Sequence, residues 1–131
     1  LLHSGLPTNE LAVISLRAYE SVKLGDLRIT AFPKLHAATD PHSFLVAGPD
    51  ANVGVFTDIG MPCEHVIHHF RQCHAAFLET NYDDELLEKG RYPVYLKRRI
   101  QSEHGHLSNA QALALFRTHK PDFMSHLVLS P

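Results

Sequence analysis

The sequence predicts a layered α/β sandwich, and three observations carry that expectation. Residues 1–60 hold short runs of alternating apolar and polar side chains broken by glycine-bearing turns, the pattern of antiparallel hairpins. From Pro62 onward, helical spacing alternates with short apolar strands. At 131 residues, 44% of them apolar and 20% charged, the chain is the size of one ordinary domain with one core. Hairpins followed by alternating helix and strand suit a layered sandwich better than a doubly wound parallel sheet.

Residues 1–10 carry Gly5, Pro7, Thr8 and Asn9 and read as a loop, followed by a short apolar run from Leu11 to Ser15. Ala18 to Leu24 and Leu27 to Phe32 read as two strands joined at Gly25-Asp26, a hairpin dipeptide. His42 to Ala47 and Val53 to Thr57 form a second pair across Gly48 to Asn52. Cys63 to Cys73 reads as a helix with Pro62 near its first turn and an apolar face of Val66, Ile67 and Phe70. Ala75 to Glu79 is a short buried strand ending in a carboxylate. Asp83 to Lys89 is a helix with acidic residues in its first turn and Gly90 after it. Pro93 to Gln101 reads as helical, and Ser108 to His119 is a helix capped at Ser108 or Asn109 and closed by Pro121. Met124 to Ser130 is a last strand.

A formal net charge of −2 means that any nucleic-acid surface has to be a local patch. No apolar run reaches the length of a membrane span and no secretory signal is visible, so a cytoplasmic protein with no membrane partner is expected. Cys63 and Cys73 show no metal or redox spacing and read as reduced core residues. The chain opens on Leu1 without a Met and closes on the apolar run to Pro131, which suggests a piece of a longer protein.

Four titratable residues fall at segment ends. His36 follows the strand ending at Phe32. Asp58 ends the strand Val53–Thr57, Glu79 ends the next, and His106 precedes a helix N-terminus. If those strands share a sheet, the four converge on one edge, where open α/β sheets bind ligands. Imidazole and carboxylate together suit zinc, manganese or iron, whose bound water is a nucleophile for hydrolysis. Taken alone, Asp58 reads as a cap for the helix starting near Pro62. His65, His68 and His69, at i, i+3 and i+4, read as a solvated helix face, and His119 and His126 as surface residues, His119 where a helix C-terminus favours a cation. The one basic cluster, Lys97-Arg98-Arg99 with Arg91 and Tyr92 nearby, reads equally as a phosphate grip or the solvated side of a short helix.

Five blocks, in order, carry a family resemblance: His36-Ala-Ala-Thr-Asp-Pro41, Val53-Gly-Val-Phe-Thr-Asp-Ile-Gly60, Phe77-Leu-Glu-Thr-Asn-Tyr-Asp83, Gly90-Arg-Tyr-Pro93 with Leu96-Lys97, and Gly105-His-Leu-Ser-Asn109. Over about residues 20–131 the chain resembles the metallo-β-lactamase-fold hydrolases, in their WalJ-like (YycJ-like) branch of phosphodiesterases and exonucleases. The resemblance implies an αββα sandwich with two divalent metal ions, Zn²⁺ or Mn²⁺, at one sheet edge. It implies His36 as a metal ligand, Asp58 as the bridge between both metals, and His106 as a histidine contacting the scissile phosphate or protonating the leaving group. Glu79 would support the site, with Asn81 and Asp83 beside it; Lys97, Arg98 and Arg99 remain, from the residues alone, a candidate phosphate-binding cluster. The implied activity is hydrolysis of phosphodiester bonds in DNA or RNA, as an exonuclease, by attack of a metal-bridged hydroxide. A small ester, lactone or cyclic phosphodiester is the alternative substrate, and a non-catalytic binding module or inactive fragment the alternative class.

The departures are specific. The family's H-x-H-x-D-H string is absent from the 131 residues, and the position of its last ligand histidine is Pro131. Ala37 stands where the family often has Asp, and Tyr82 where it often has His. Residues 1–131 therefore resemble a partial, C-terminal portion of such a domain. The full-length protein is expected to be the enzyme, and the isolated residues, with two ligands, to bind metal weakly and to be inactive.

Overall fold

A computed structural model describes residues 12–131. Its strands are β1 (Ser21–Leu24), β2 (Leu27–Pro33), β3 (His42–Ala47), β4 (Asn52–Phe56), β5 (Ala75–Glu79) and β6 (His126–Ser130). Its helices are α1 (Glu64–Phe70), α2 (Asp84–Lys89), α3 (Val94–Gln101) and α4 (Asn109–His119). The strands form one six-stranded sheet in sequence order. β1 to β4 are an antiparallel meander, as the hairpin pattern predicts, and β4–β5 and β5–β6 pair parallel across helical crossovers. Leu24 pairs with Leu27 across Gly25-Asp26, and Gly25 sits at φ 58°, in the left-handed region that the tight turn requires.

Direction follows from these pairings. β2 and β4 each run antiparallel to β3 and so point the same way, and β5 and β6 are parallel to β4. The C-terminal ends of β2, β4, β5 and β6 therefore lie along one edge.

One face of the sheet is the core. Phe32, Leu45, Phe56, Ala76 and Leu78 pack there against Val66 and Phe70 of α1 and Ala112 and Leu115 of α4. Phe32, Phe56 and Phe70 are fully buried, with centroid separations of 5.7 Å and 5.5 Å in tilted and edge-on pairs. Burial of each ring contributes about 1.5–3 kcal/mol. The opposite face is also apolar: the register aligns Ala31, Phe44, Val55, Phe77 and Val128 in one row across five strands. In that row Phe44, Phe77 and Val128 are 40%, 44% and 46% exposed. The αββα expectation is thus met by one sheet and one covering helical layer.

Caps decide the helix starts. Asp83 accepts from Leu86 N, and Ser108 with Gln111 forms a reciprocal capping box. β4 starts one residue early, at Asn52 rather than Val53, and two strand starts differ by more. β1 begins at Ser21 rather than Ala18, because Tyr19 takes a left-handed φ of 63° and makes a turn. β6 begins at His126 rather than Met124, because Met124 N closes a turn on Pro121 O. The expected loop over residues 1–10 and the start of the Leu11 run lie outside the described residues, and Ala12 to Ser15 take no regular structure.

The histidine readings need two corrections. His69 is 5% exposed, not on a solvated face: its ring stacks flat on Phe32 at 4.0 Å and its Nδ1–H donates to His65 O. His119 does lie near the surface in the last turn of α4, but its Nδ1 accepts from Arg71, and desolvation and then the guanidinium charge hold its pKa below the ordinary range, against the expected cation. Cys73 is buried and Cys63 half-buried, both as free thiols, and burial pushes the Cys73 thiol up to about 12.

Burial also lowers the pKa of His69; the bond to the His65 carbonyl opposes this, and the neighbouring His68 and His65 rings add to it. The folded state therefore prefers the neutral ring, and the unfolded state binds the extra proton. This contribution is fully present above the ordinary histidine value near 6.5 and is lost as pH falls below it. Urea midpoints between pH 8 and pH 5 are expected to fall at the acid end, with a shallower fall in His69→Leu.

Candidate metal centre

Three strand ends and one loop build the site. β2 ends at Pro33, and the chain continues through Lys34 and Leu35 to His36. β4 ends at Phe56, two residues before Asp58, whose φ of 53° turns the backbone sharply. Aspartate tolerates that left-handed conformation better than most residues. Glu79 is the last residue of β5, and His106 lies in the loop between α3 and α4.

Backbone bonds lock these segments together. Gly60 N donates to Leu35 O at 2.6 Å, and Asn81 N to Leu107 O at 3.0 Å. Gly60 has to be glycine, because a Cβ there would fall onto the Glu103 carbonyl; a Cβ on Gly105 would meet the carbonyls of Arg99 and Ile100. These two close approaches bring the His106 loop down onto the Asp58 turn.

Glu79 is the buried centre, 3% exposed. One carboxylate oxygen accepts from Ile59 N at 2.7 Å and Leu107 N at 3.3 Å, and the other accepts from His106 Nδ1 at 2.7 Å. A carboxylate only accepts here, so His106 carries its proton on Nδ1 and presents Nε2 outward. His36 does the same by another route: its Nδ1–H donates to Gly105 O at 2.8 Å, which leaves Nε2 free. The two imidazoles lie edge to face, 5.2 Å between centroids.

Asp58, Glu79 and His106 each bring a donor atom within 4.8 Å of the other two. Glu79 is committed to its three donors, so within this group the exposed Asp58 and the His106 ring are the available donors; His36 stands outside the group, beside the His106 ring, with its own Nε2 free. Carboxylate oxygen with imidazole nitrogen held by outer hydrogen bonds fits a divalent transition metal.

The other expected residues separate. Asn81 lies in the next cleft, with Tyr82 and Leu86, and Asp83 is the α2 cap. Lys97 donates to Glu88 O at 2.6 Å, away from the site, and Arg98 is exposed. Arg99 lines a cleft of about 270 Å³ with His36 and His106. A larger groove, about 470 Å³ along α4 and β6, has no titratable lining residue. One residue was not foreseen. Lys34 Nζ donates to Thr57 O at 2.7 Å; burial lowers its pKa, while Asp58 and Glu79 pull it back up. The signal was its position two before His36, which puts both on one side of an extended chain.

A family profile described as "Beta-lactamase superfamily domain" matches residues 3–126. The chain belongs to this metallo-β-lactamase family. Over 129 residues it is 27% identical to the exodeoxyribonuclease YycJ of Bacillus anthracis, covering 98% of this chain and 48% of that protein. Over 95 residues it is 34% identical to the exodeoxyribonuclease WalJ of Streptococcus pneumoniae serotype 2, covering 72% of this chain and 35% of that protein. The chain thus spans half or less of the curated relatives it matches. The crystal structure of a diphosphatase from the PhnP family superposes with a TM-score of 0.56 at 12% identity, covering 86% of this chain and 35% of that one. That likeness is one of fold.

Two substitutions test how the site is held. Glu79→Gln places an amide NH₂ against one of three donors. It is expected to cost about 2 kcal/mol of stability by denaturant titration. Gly60→Ala forces two backbones apart and is expected to cost about 3 kcal/mol in the same measurement, more than an exposed glycine such as Gly25 replaced by Asn.

Proposed function

We propose that the protein carrying this chain is a metal-dependent hydrolase of phosphodiester bonds, acting on DNA or RNA from an end, with two Zn²⁺ or Mn²⁺ ions. The single observation that carries this reading is the convergence of His36, Asp58 and the Glu79-bound His106 at the shared C-terminal edge of the sheet. The two exodeoxyribonuclease relatives support the nucleic-acid substrate. The remaining ligands, including the H-x-H-x-D-H string, would come from a portion of the protein outside these residues, so residues 1–131 are a partial domain.

In this reading His36 Nε2 and the Asp58 carboxylate hold the metals. Divalent metals there would supply a water nucleophile at neutral pH and neutralise charge on the phosphate oxygens. His106, fixed through Nδ1, would face the leaving group with Nε2 and move a proton to or from it. Glu79 sets the tautomer and angle of that ring and does not touch substrate. The Asp58 turn and the Gly60 contact hold the carboxylate in place before substrate arrives.

The test is metal analysis of the full-length protein with nuclease assays in Mn²⁺ and Zn²⁺ on end-labelled single- and double-stranded substrates. Bound metal and shortening from an end are expected. Asp58→Asn is expected to lose activity by more than the roughly 10–100-fold that removal of an outer partner costs. No bound metal together with no cleavage of any phosphodiester would overturn the proposal.

A further inference from the structure

The cleft of about 270 Å³ beside the candidate metal centre is lined by His36, Ala37, Leu96, Arg99, Ile100, His104, Gly105 and His106. Its titratable lining residues are one arginine and three histidines, with no Asp or Glu. This contrasts with its neighbourhood, since Asp58 and Glu79 stand just beyond His106. The basic run Lys97-Arg98-Arg99 is divided by the geometry of α3. Lys97 turns back to the Glu88 carbonyl near the end of α2, and Arg98 is not among the residues lining the cleft. Of the three, Arg99 alone is among the residues lining the cleft; it is exposed, and no hydrogen bond or ion pair among the described residues engages its guanidinium. The Arg99 carbonyl is meanwhile held by Ser102, whose backbone N and hydroxyl both donate to it, so the α3 terminus is anchored where the side chain departs.

We propose that Arg99 is the phosphate-recognition residue of this protein, and that the cleft is an anion subsite contiguous with His36 and His106. A guanidinium grips a phosphate through two parallel N–H···O bonds, a geometry lysine cannot copy. The cleft is smaller than the roughly 300–1,000 Å³ of drug-sized pockets, so it takes a phosphate with its sugar rather than a stack of nucleotides. The ligand is a phosphate group of the polynucleotide beside the bond to be broken. The inference rests on the phosphodiesterase reading for that ligand, and on the cleft alone for the anion site.

The experiment uses the full-length protein with Arg98→Ala, Arg99→Ala and Arg99→Lys, each checked for unchanged metal content and melting temperature. Thymidine 5′-monophosphate is titrated calorimetrically, and KM, kcat and their salt dependence are measured on an oligonucleotide. Arg99→Ala is expected to weaken nucleotide binding about tenfold. It should also raise KM far more than it lowers kcat and reduce the salt slope by about one. Arg99→Lys recovers only part, and Arg98→Ala changes each by less than about twofold. Wild-type protein that does not bind the nucleotide, or Arg99→Ala indistinguishable from Arg98→Ala, overturns the proposal. Arg99-dependent nucleotide binding without any phosphodiester cleavage leaves the anion subsite standing and removes the phosphodiesterase reading instead.

Discussion

The carboxylate of Glu79 meets three donors from two loops: Ile59 N in the turn after β4, and Leu107 N with the imidazole of His106 before α4. A buried charge of this kind is tolerable only when its lone pairs are filled, and here the donors come from the loops that have to be held. The same group that satisfies its own desolvation therefore fixes the Asp58 turn against the His106 loop. Removing one donor leaves a charge in the core, and removing the carboxylate frees two loops at once. The packing of Gly60 against residues 103–104 reinforces the same junction sterically.

The sheet supplies the other half of the account. A meander followed by two parallel crossovers sends four strand ends to one edge, so residues from positions 36, 58, 79 and 106 meet although the chain places them far apart. Among the described residues, helices cover only one face of that sheet. The row Phe44, Val55, Phe77 and Val128 on the other face is as apolar as a core layer, and several of its members are exposed. Apolar surface of that continuity marks a packing face. It fits a chain that spans half or less of its curated relatives.

Most of the fold was legible because its signals are local. Alternation along β2 and β4, the Gly25-Asp26 turn and the Ser108–Gln111 box each declare an element within a few residues. The convergence of His36, Asp58, Glu79 and His106 was legible as a consequence of strand ends sharing a sheet. What escaped depends on distant partners. His69 is buried because Phe32, on another element, offers its ring a flat surface, and nothing in the seven residues of α1 announces it. The position of Lys34 beside the site depends on the Thr57 carbonyl, two strands away. The basic run of α3 looked uniform in sequence, yet successive residues on a helix point about 100° apart, so Lys97, Arg98 and Arg99 reach three different environments.

The central claim is that the edge formed by His36, Asp58 and His106, braced by Glu79, holds metal. Anomalous diffraction from crystals of the full-length protein grown with Mn²⁺ measures it directly. A manganese peak in contact with the Asp58 carboxylate and His36 Nε2, with Glu79 still bonded to His106, is the predicted result. A peak at the exposed His65 and His68 of α1 instead, or manganese bound with Asp58 left free, would contradict the account.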